Sequence, residues 1–156
     1  LITKFGGHAM AAGLSLSAEK YESFKAAFDK EARRLLTLDD LTGELHSDGE
    51  LPDADLDLPL ARILRDAGPW GQGFPEPLFE GEFEVLNQRL LAEKHLKLTL
   101  GFPASKRVLD AIAFNVDLAK WPNPKASRVF LAYRLDVNSF RGVETPQLMV
   151  EHLQAV

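Results

Sequence analysis

A change of period divides this sequence. From residue 82 onward, apolar residues recur at every second position in runs broken by Gly, Pro and polar stretches. Leu96, Leu98, Leu100 and Phe102 alternate with His95, Lys97 and Thr99. Val129, Leu131, Tyr133, Leu135 and Val137 alternate with Arg134, Asp136 and Asn138. Strand side chains point alternately to two faces, so each run reads as a strand with one buried face. The pattern predicts strands over 82–91, from His95 to Phe102, and over 107–114, 129–138 and 146–154. A short helical turn from Asp117 to Trp121, stopped by Pro122 and Pro124, falls between the third strand and the fourth. Five strands with such an insert fit a small Greek-key barrel of the OB type, with a five-stranded sandwich as the alternative.

Before that point the period is helical. Tyr21, Phe24, Phe28, Ala32 and Leu35 are three or four residues apart and share one helix face, which predicts an amphipathic helix over 18–36 behind Ser17 as N-cap. Upstream, Gly6-Gly7-His8 and the small residues to Gly13 predict a tight turn, a short helix starting at His8 and a Gly C-cap. Leu14-Ser15-Leu16 would then be a short strand. Residues 37–58 are acidic and irregular, with a strand expected from Gly43 to Leu51. Pro59 suits the first turn of a helix running through Ala67. Residues 68–77 hold three Pro and three Gly, which forbids regular structure. That stretch reads as an ordered loop, with Trp70 and Phe74 anchored against a core. The fold class is α+β: a short helical part followed by a five-stranded OB-type barrel. The division is 1–41 and 42–156, with the barrel core at about 79–156.

With 156 residues, 46% of them hydrophobic, the chain can bury one ordinary core or two small ones. It has no cysteine, which removes disulfides, thiolate metal sites and a Cys nucleophile. No apolar run approaches the length that spans a membrane, and no secretory leader pattern is present, so no membrane partner and a cytoplasmic setting are expected. The sequence opens on Leu1 inside a dense motif and reads as a piece of something longer.

The net charge of −5 is unevenly spread. Residues 15–80 carry a net −8, whereas 81–156 carry +2. A modest basic excess on the barrel suits phosphate binding and equally suits a solvated mixed surface. Asp53, Asp55 and Asp57 imitate the start of a calcium loop, but its sixth and twelfth positions hold Leu58 and Leu64. His8, His46, His95 and His152 have no metal-ligand spacing, and no nucleophile motif exists. The outward barrel parity offers His95, Lys97, Arg134 and Asn138, flanked by Arg89 and Arg141. Cations and donors on an open barrel face are what a single-strand groove uses, and Phe130 and Phe140 are the candidates for base stacking.

Gly6-Gly7-His8-Ala9-Met10-Ala11-Ala12-Gly13 resembles the GGHxxAAG motif of the DHH phosphoesterase superfamily, a motif of its C-terminal associated domain. Four further strings are narrower: residues 68–79, His95-Leu96-Lys97-Leu98, Ala111-Ile112-Ala113-Phe114-Asn115 and Asn138-Ser139-Phe140-Arg141-Gly142. Gln147-Leu148 accompanies them. Together they resemble the RecJ family of single-strand-specific DNA exonucleases along essentially the whole chain. The resemblance implies a parent enzyme that degrades single-stranded DNA from the 5′ end, in DNA repair and recombination, with two divalent metals, manganese or magnesium. Those metals would be held by Asp and His residues of a DHH domain, and no DHH string occurs here. Residues 1–41 would be the tail of the associated domain, with Gly6, Gly7 and His8 contacting the substrate phosphate, and the barrel would bind DNA. Such a piece is expected to bind and not to cleave. The resemblance also implies single-strand-binding protein as a partner, docking an acidic tail on the barrel. A part of another DHH phosphodiesterase is the remaining alternative, which the barrel strings disfavour.

Overall fold

The computed structural model describes residues 1–8, 11–102 and 105–156. The chain forms two compact units, residues 1–44 and 45–156.

In the first unit, β1 (Lys4–His8) pairs antiparallel with β2 (Ala11–Ser15), bringing Gly6 opposite Gly13 and Gly7 opposite Ala12. The expected helix beginning at His8 is therefore corrected: His8 ends a strand, and Ala11 to Gly13 belong to the return strand. Ala9 and Met10 of the GGHxxAAG string lie outside the described residues. Gly7 has a steric reason to lack a side chain, because a Cβ there would lie 2.8 Å from the Ala11 carbonyl oxygen and 2.9 Å from the Ala12 Cβ. A short 3₁₀ turn, Ala18–Lys20, leads into α1 (Tyr21–Leu35), and α2 (Leu38–Leu41) follows. Ion pairs one helical turn apart, Arg33 with Asp29 at 2.8 Å and Arg34 with Glu31 at 2.6 Å, support the polar side of α1. Tyr21, Phe28 and Leu35 of its apolar face are exposed, and Phe24 stacks on Phe28 at 5.7 Å.

The second unit opens with no strand over 43–51; one bridge, Glu50 to Glu80, is what that expectation becomes. α3 (Leu58–Asp66) starts where Pro59 foretells it, because the Asp57 carboxylate accepts the Leu60 N–H at 2.9 Å. Trp70 donates its indole N–H to the Leu64 carbonyl at 3.1 Å and so fixes the Pro/Gly-rich loop. Phe74 is 60% exposed and stacks on Trp70 instead of entering the core.

The barrel consists of β3 (Phe79–Leu91), β4 (His95–Phe102), β5 (Ser105–Ala113), β6 (Arg128–Phe140) and β7 (Val143–Ala155). It closes in the order β3-β4-β5-β7-β6, with β5 and β7 parallel and the other neighbours antiparallel. The crossover between third and fifth strand is what makes a five-stranded Greek key an OB-type barrel, which decides against the sandwich. Leu96, Leu98, Leu100, Leu131 and Leu148 fill its interior, with Tyr133 edge-on to Phe83, and Phe83 edge-on to Phe102. The segment from Asp117 to Trp121 is the single helical turn expected, closed by the Trp121 N–H to the Asp117 carbonyl at 2.9 Å. β6 and β7 run on to a two-residue turn at Arg141 and Gly142, both in the left-handed region with φ of 52° and 80°. That conformation matches the twist of a hairpin and lets the ladder extend further than the alternation alone indicates.

Candidate nucleic-acid interface

Barrel register assembles one row of outward side chains from all five strands. Arg89 on β3 stands opposite Lys97 on β4, Lys97 opposite Ile112 on β5, Ile112 beside Met149 on β7, and Met149 opposite Arg134 on β6. Paired residues share a face of the sheet, and Leu96 and Leu98 next to Lys97 point inward. The row is thus an apolar centre, Ile112 and Met149, flanked by cations. Lys97 and Arg134 are separated by β5 and β7, three strand spacings or about 14 Å along the surface. They belong to one band around the barrel and not to one compact patch.

Ion pairing distinguishes these cations. The Lys97 ammonium lies 2.7 Å from the Asp110 carboxylate, which also accepts the Thr99 hydroxyl at 3.4 Å. The Arg134 guanidinium meets Glu151 at 2.8 Å and Glu76 at 3.5 Å. No ion pair joins Arg89 among the described residues, and it is exposed. A phosphate reaching Lys97 or Arg134 displaces a carboxylate first; at Arg89 it displaces only water and counterions.

The two hairpin tips stand beyond opposite ends of this row. At one end Ala92 and Glu93 turn with positive φ of 48° and 57°, a strained choice for residues other than Gly and Asn. Next to that turn His95 is half-buried, its Nδ1 accepting the Asn115 N–H at 3.1 Å, so that its Nε2–H is left to donate. The Phe114 ring meets the imidazole edge-on at 4.9 Å and is 50% exposed. At the other end Asn138 stands opposite Thr145, and the Arg141 guanidinium covers the exposed Phe140 ring at 5.1 Å. Phe114 falls just past Ala113, where β5 ends, one residue short of the strand end that the sequence predicts. Its place beside His95 is a product of pairing. Phe130, by contrast, lies opposite Glu82 on β3, half-buried and off the row. Arg107 is likewise committed elsewhere: it donates to the carbonyls of Asp53 and Leu56, the latter at 2.7 Å. Gly6, Gly7 and His8 stand in the first unit, with His8 exposed at the end of β1.

The family described as RecJ OB domain matches residues 47–152. The chain belongs to the RecJ OB-domain family. The RecJ single-stranded-DNA-specific exonuclease of Dickeya dadantii is 50% identical over 153 residues, covering 98% of this chain and 27% of that protein. Its counterpart in Bacillus subtilis is 27% identical over 154 residues, covering 97% of this chain and 19% of that protein. A crystal structure of RecJ with Mn²⁺ from Thermus thermophilus has a TM-score of 0.66 and 28% identity, over 99% of this chain and 22% of that one. The chain therefore spans 27% or less of these relatives' lengths. A second Thermus RecJ structure contains Mg²⁺. Among the described residues, no three His, Asp or Glu side chains come together as metal ligands. Nor, among them, is any helix long and apolar enough to cross a membrane.

Proposed function

We propose that this chain is the DNA-holding portion of a single-strand-specific exonuclease that degrades DNA from its 5′ end in repair and recombination. The observation that carries this is the outward row Arg89, Lys97, Ile112, Met149 and Arg134 across a RecJ-type OB barrel. Cations at both ends would neutralise phosphates while the apolar centre and the Phe114 and Phe140 rings take bases, a sequence-tolerant arrangement. Asn138, His95 and Arg141 add donors at the hairpin ends. The divalent metals, and with them hydrolysis, would lie in a part of the enzyme outside these residues, so this chain alone binds without cleaving. The associated-domain tail, 1–41, would bring Gly6, Gly7 and His8 to the substrate phosphate. Its role is positional and electrostatic, and in the intact enzyme His8→Ala should slow cleavage much more than it weakens binding of a long oligonucleotide. Equal losses would refute that assignment. Single-strand-binding protein is the proposed protein partner, and the proposed compartment is the cytoplasm.

The test is oligo(dT) binding by fluorescence anisotropy across a salt series. Each phosphate contact contributes about 0.7 to the log–log salt slope on single strands. Arg89→Ala should weaken binding to every sequence and shallow the slope by about that amount, whereas Lys125→Ala, on the Pro-flanked connection, should leave the slope unchanged. A wild-type slope in Arg89→Ala would take the DNA off this row.

A further inference from the structure

Residues 68–78 take no part in the outward row, yet they are tied down at both ends and in the middle. Trp70 is fixed by its indole N–H on the Leu64 carbonyl. The Gly71 and Phe74 backbones exchange both hydrogen bonds, at 2.8 and 3.0 Å, which makes a two-residue turn of Gln72 and Gly73. Glu76 reaches Arg134 at 3.5 Å. Leu78 donates to the Asp48 carboxylate at 3.0 Å and accepts the Asp48 N–H at 2.7 Å.

What this loop holds is a ring. Phe74 is exposed and stacks on half-buried Trp70, with centroids 4.9 Å apart and planes tilted by 32°. A ring this exposed keeps most of its apolar area in water, so folding gains little from it. Its backbone is already ordered, and ordering a loop is one of the main costs of recognition by loops. The ring also stands at the end of the row. The β3–β6 ladder runs from Glu84 and Arg128 to Phe79 and Tyr133, so the chain just before Phe79 passes beside Arg134, where Glu76 meets it. Pro75 and Pro77 bias Phe74 and Glu76 toward extended backbone. Phe74 is therefore within about 7 Å of Glu76 along the chain.

We propose that Phe74, backed by Trp70, is a base-stacking platform that prolongs the row past Arg134 and takes one nucleobase of a single strand whose phosphate lies at Arg134. The platform rests on the single-strand reading of the row and adds to it a site outside the barrel strands. Every base has a π-face, so such a ring accepts any of the four without reading their edges. The neighbouring guanidinium favours a ligand that carries an anion beside each planar group, which a single strand does. An apolar side chain of a protein would cover the ring as well, but it would bring no phosphate to Arg134.

The test is oligo(dT) anisotropy on the 156-residue chain, with a second probe of equal length built from abasic units, which keeps the phosphates and lacks the bases. Phe74→Ala should weaken oligo(dT) binding at least about fivefold, the low end of what one stacked base is worth. The salt slope should stay at the wild-type value, because no phosphate contact is lost. Phe74→Trp should bind at least as tightly as wild type, and Phe74→Leu, apolar without a ring, should bind like Phe74→Ala. Ile63→Ala, which removes a comparably exposed apolar side chain on α3, should stay within about twofold of wild type. The abasic probe should bind wild type and Phe74→Ala equally. Phe74 is exposed, so folding is not at stake in these variants. Wild-type affinity in Phe74→Ala beside a weakened Arg89→Ala would remove the platform and leave the row. A wild-type slope in Arg89→Ala, or no oligo(dT) binding at all, would remove the row and the platform with it. Tight binding by Phe74→Leu, or a Phe74→Ala loss that persists on the abasic probe, would overturn the stacking role.

Discussion

Replacing Asp110 with Asn should make the barrel bind DNA more tightly. The Lys97 ammonium sits 2.7 Å from the Asp110 carboxylate, and the two side chains are 28% and 39% exposed. Pairs with this much solvent contact are worth about 0.2–1 kcal/mol. A phosphate that takes Lys97 from Asp110 forgoes that amount, and releasing it alone is worth up to about fivefold in affinity. Asp110 also repels any phosphate within the screening length of about 8 Å at physiological salt. Together these give a gain of about three- to tenfold for Asp110→Asn. The amide keeps the shape of the carboxylate, and Thr99 can still bond to it. The assay is oligo(dT) anisotropy at several salt concentrations. The salt slope should steepen by up to about 0.7 as one more cation becomes available to phosphate. Unchanged or weaker binding, with the variant folded, would refute the claim that Lys97 is held back by its own neighbour.

Two further outcomes follow from packing and charge. Leu98 is fully buried between strands, so Leu98→Ala should cost about 2–5 kcal/mol in urea unfolding through lost transfer energy and a residual cavity; a loss under about 1 kcal/mol would mean that the barrel collapses around the gap. Glu144 accepts from Arg62 and Arg65, which tie α3 to the start of β7 and hold its carboxyl below the ordinary value of 4.5. A depressed folded-state pKa stabilises above the unfolded value and is lost as pH falls through the folded one. The urea-midpoint difference between wild type and Glu144→Gln should therefore be fullest above pH 4.5 and shrink below it, and a difference that grows in acid would contradict this.

Alternation alone determined much of the second unit. Leu96 to Phe102 and Val129 to Val137 could bury a face only as strands, and Pro59 suited the first turn of a helix, which the structure shows to be capped by Asp57. These are local facts: side-chain period, an N-cap acceptor and a fixed proline φ act within a few residues. What the tertiary structure decided are the relations between distant segments. Gly6, Gly7 and His8 have the local chemistry of a turn and helix start, yet pairing with Ala11 to Gly13 makes them a strand. Lys97 and Arg134 look alike in sequence, and so does Arg89; only the fold sets Asp110 and Glu151 against the first two and, among the described residues, no carboxylate against Arg89. Phe114 joins His95 because β5 ends where the β3–β4 hairpin turns. The loop that carries Phe74 reaches Arg134 because the β3–β6 ladder ends at Phe79 and Tyr133. Hydrogen-bond registers and ion pairs link residues far apart in the chain, and no periodicity within a single segment carries that information.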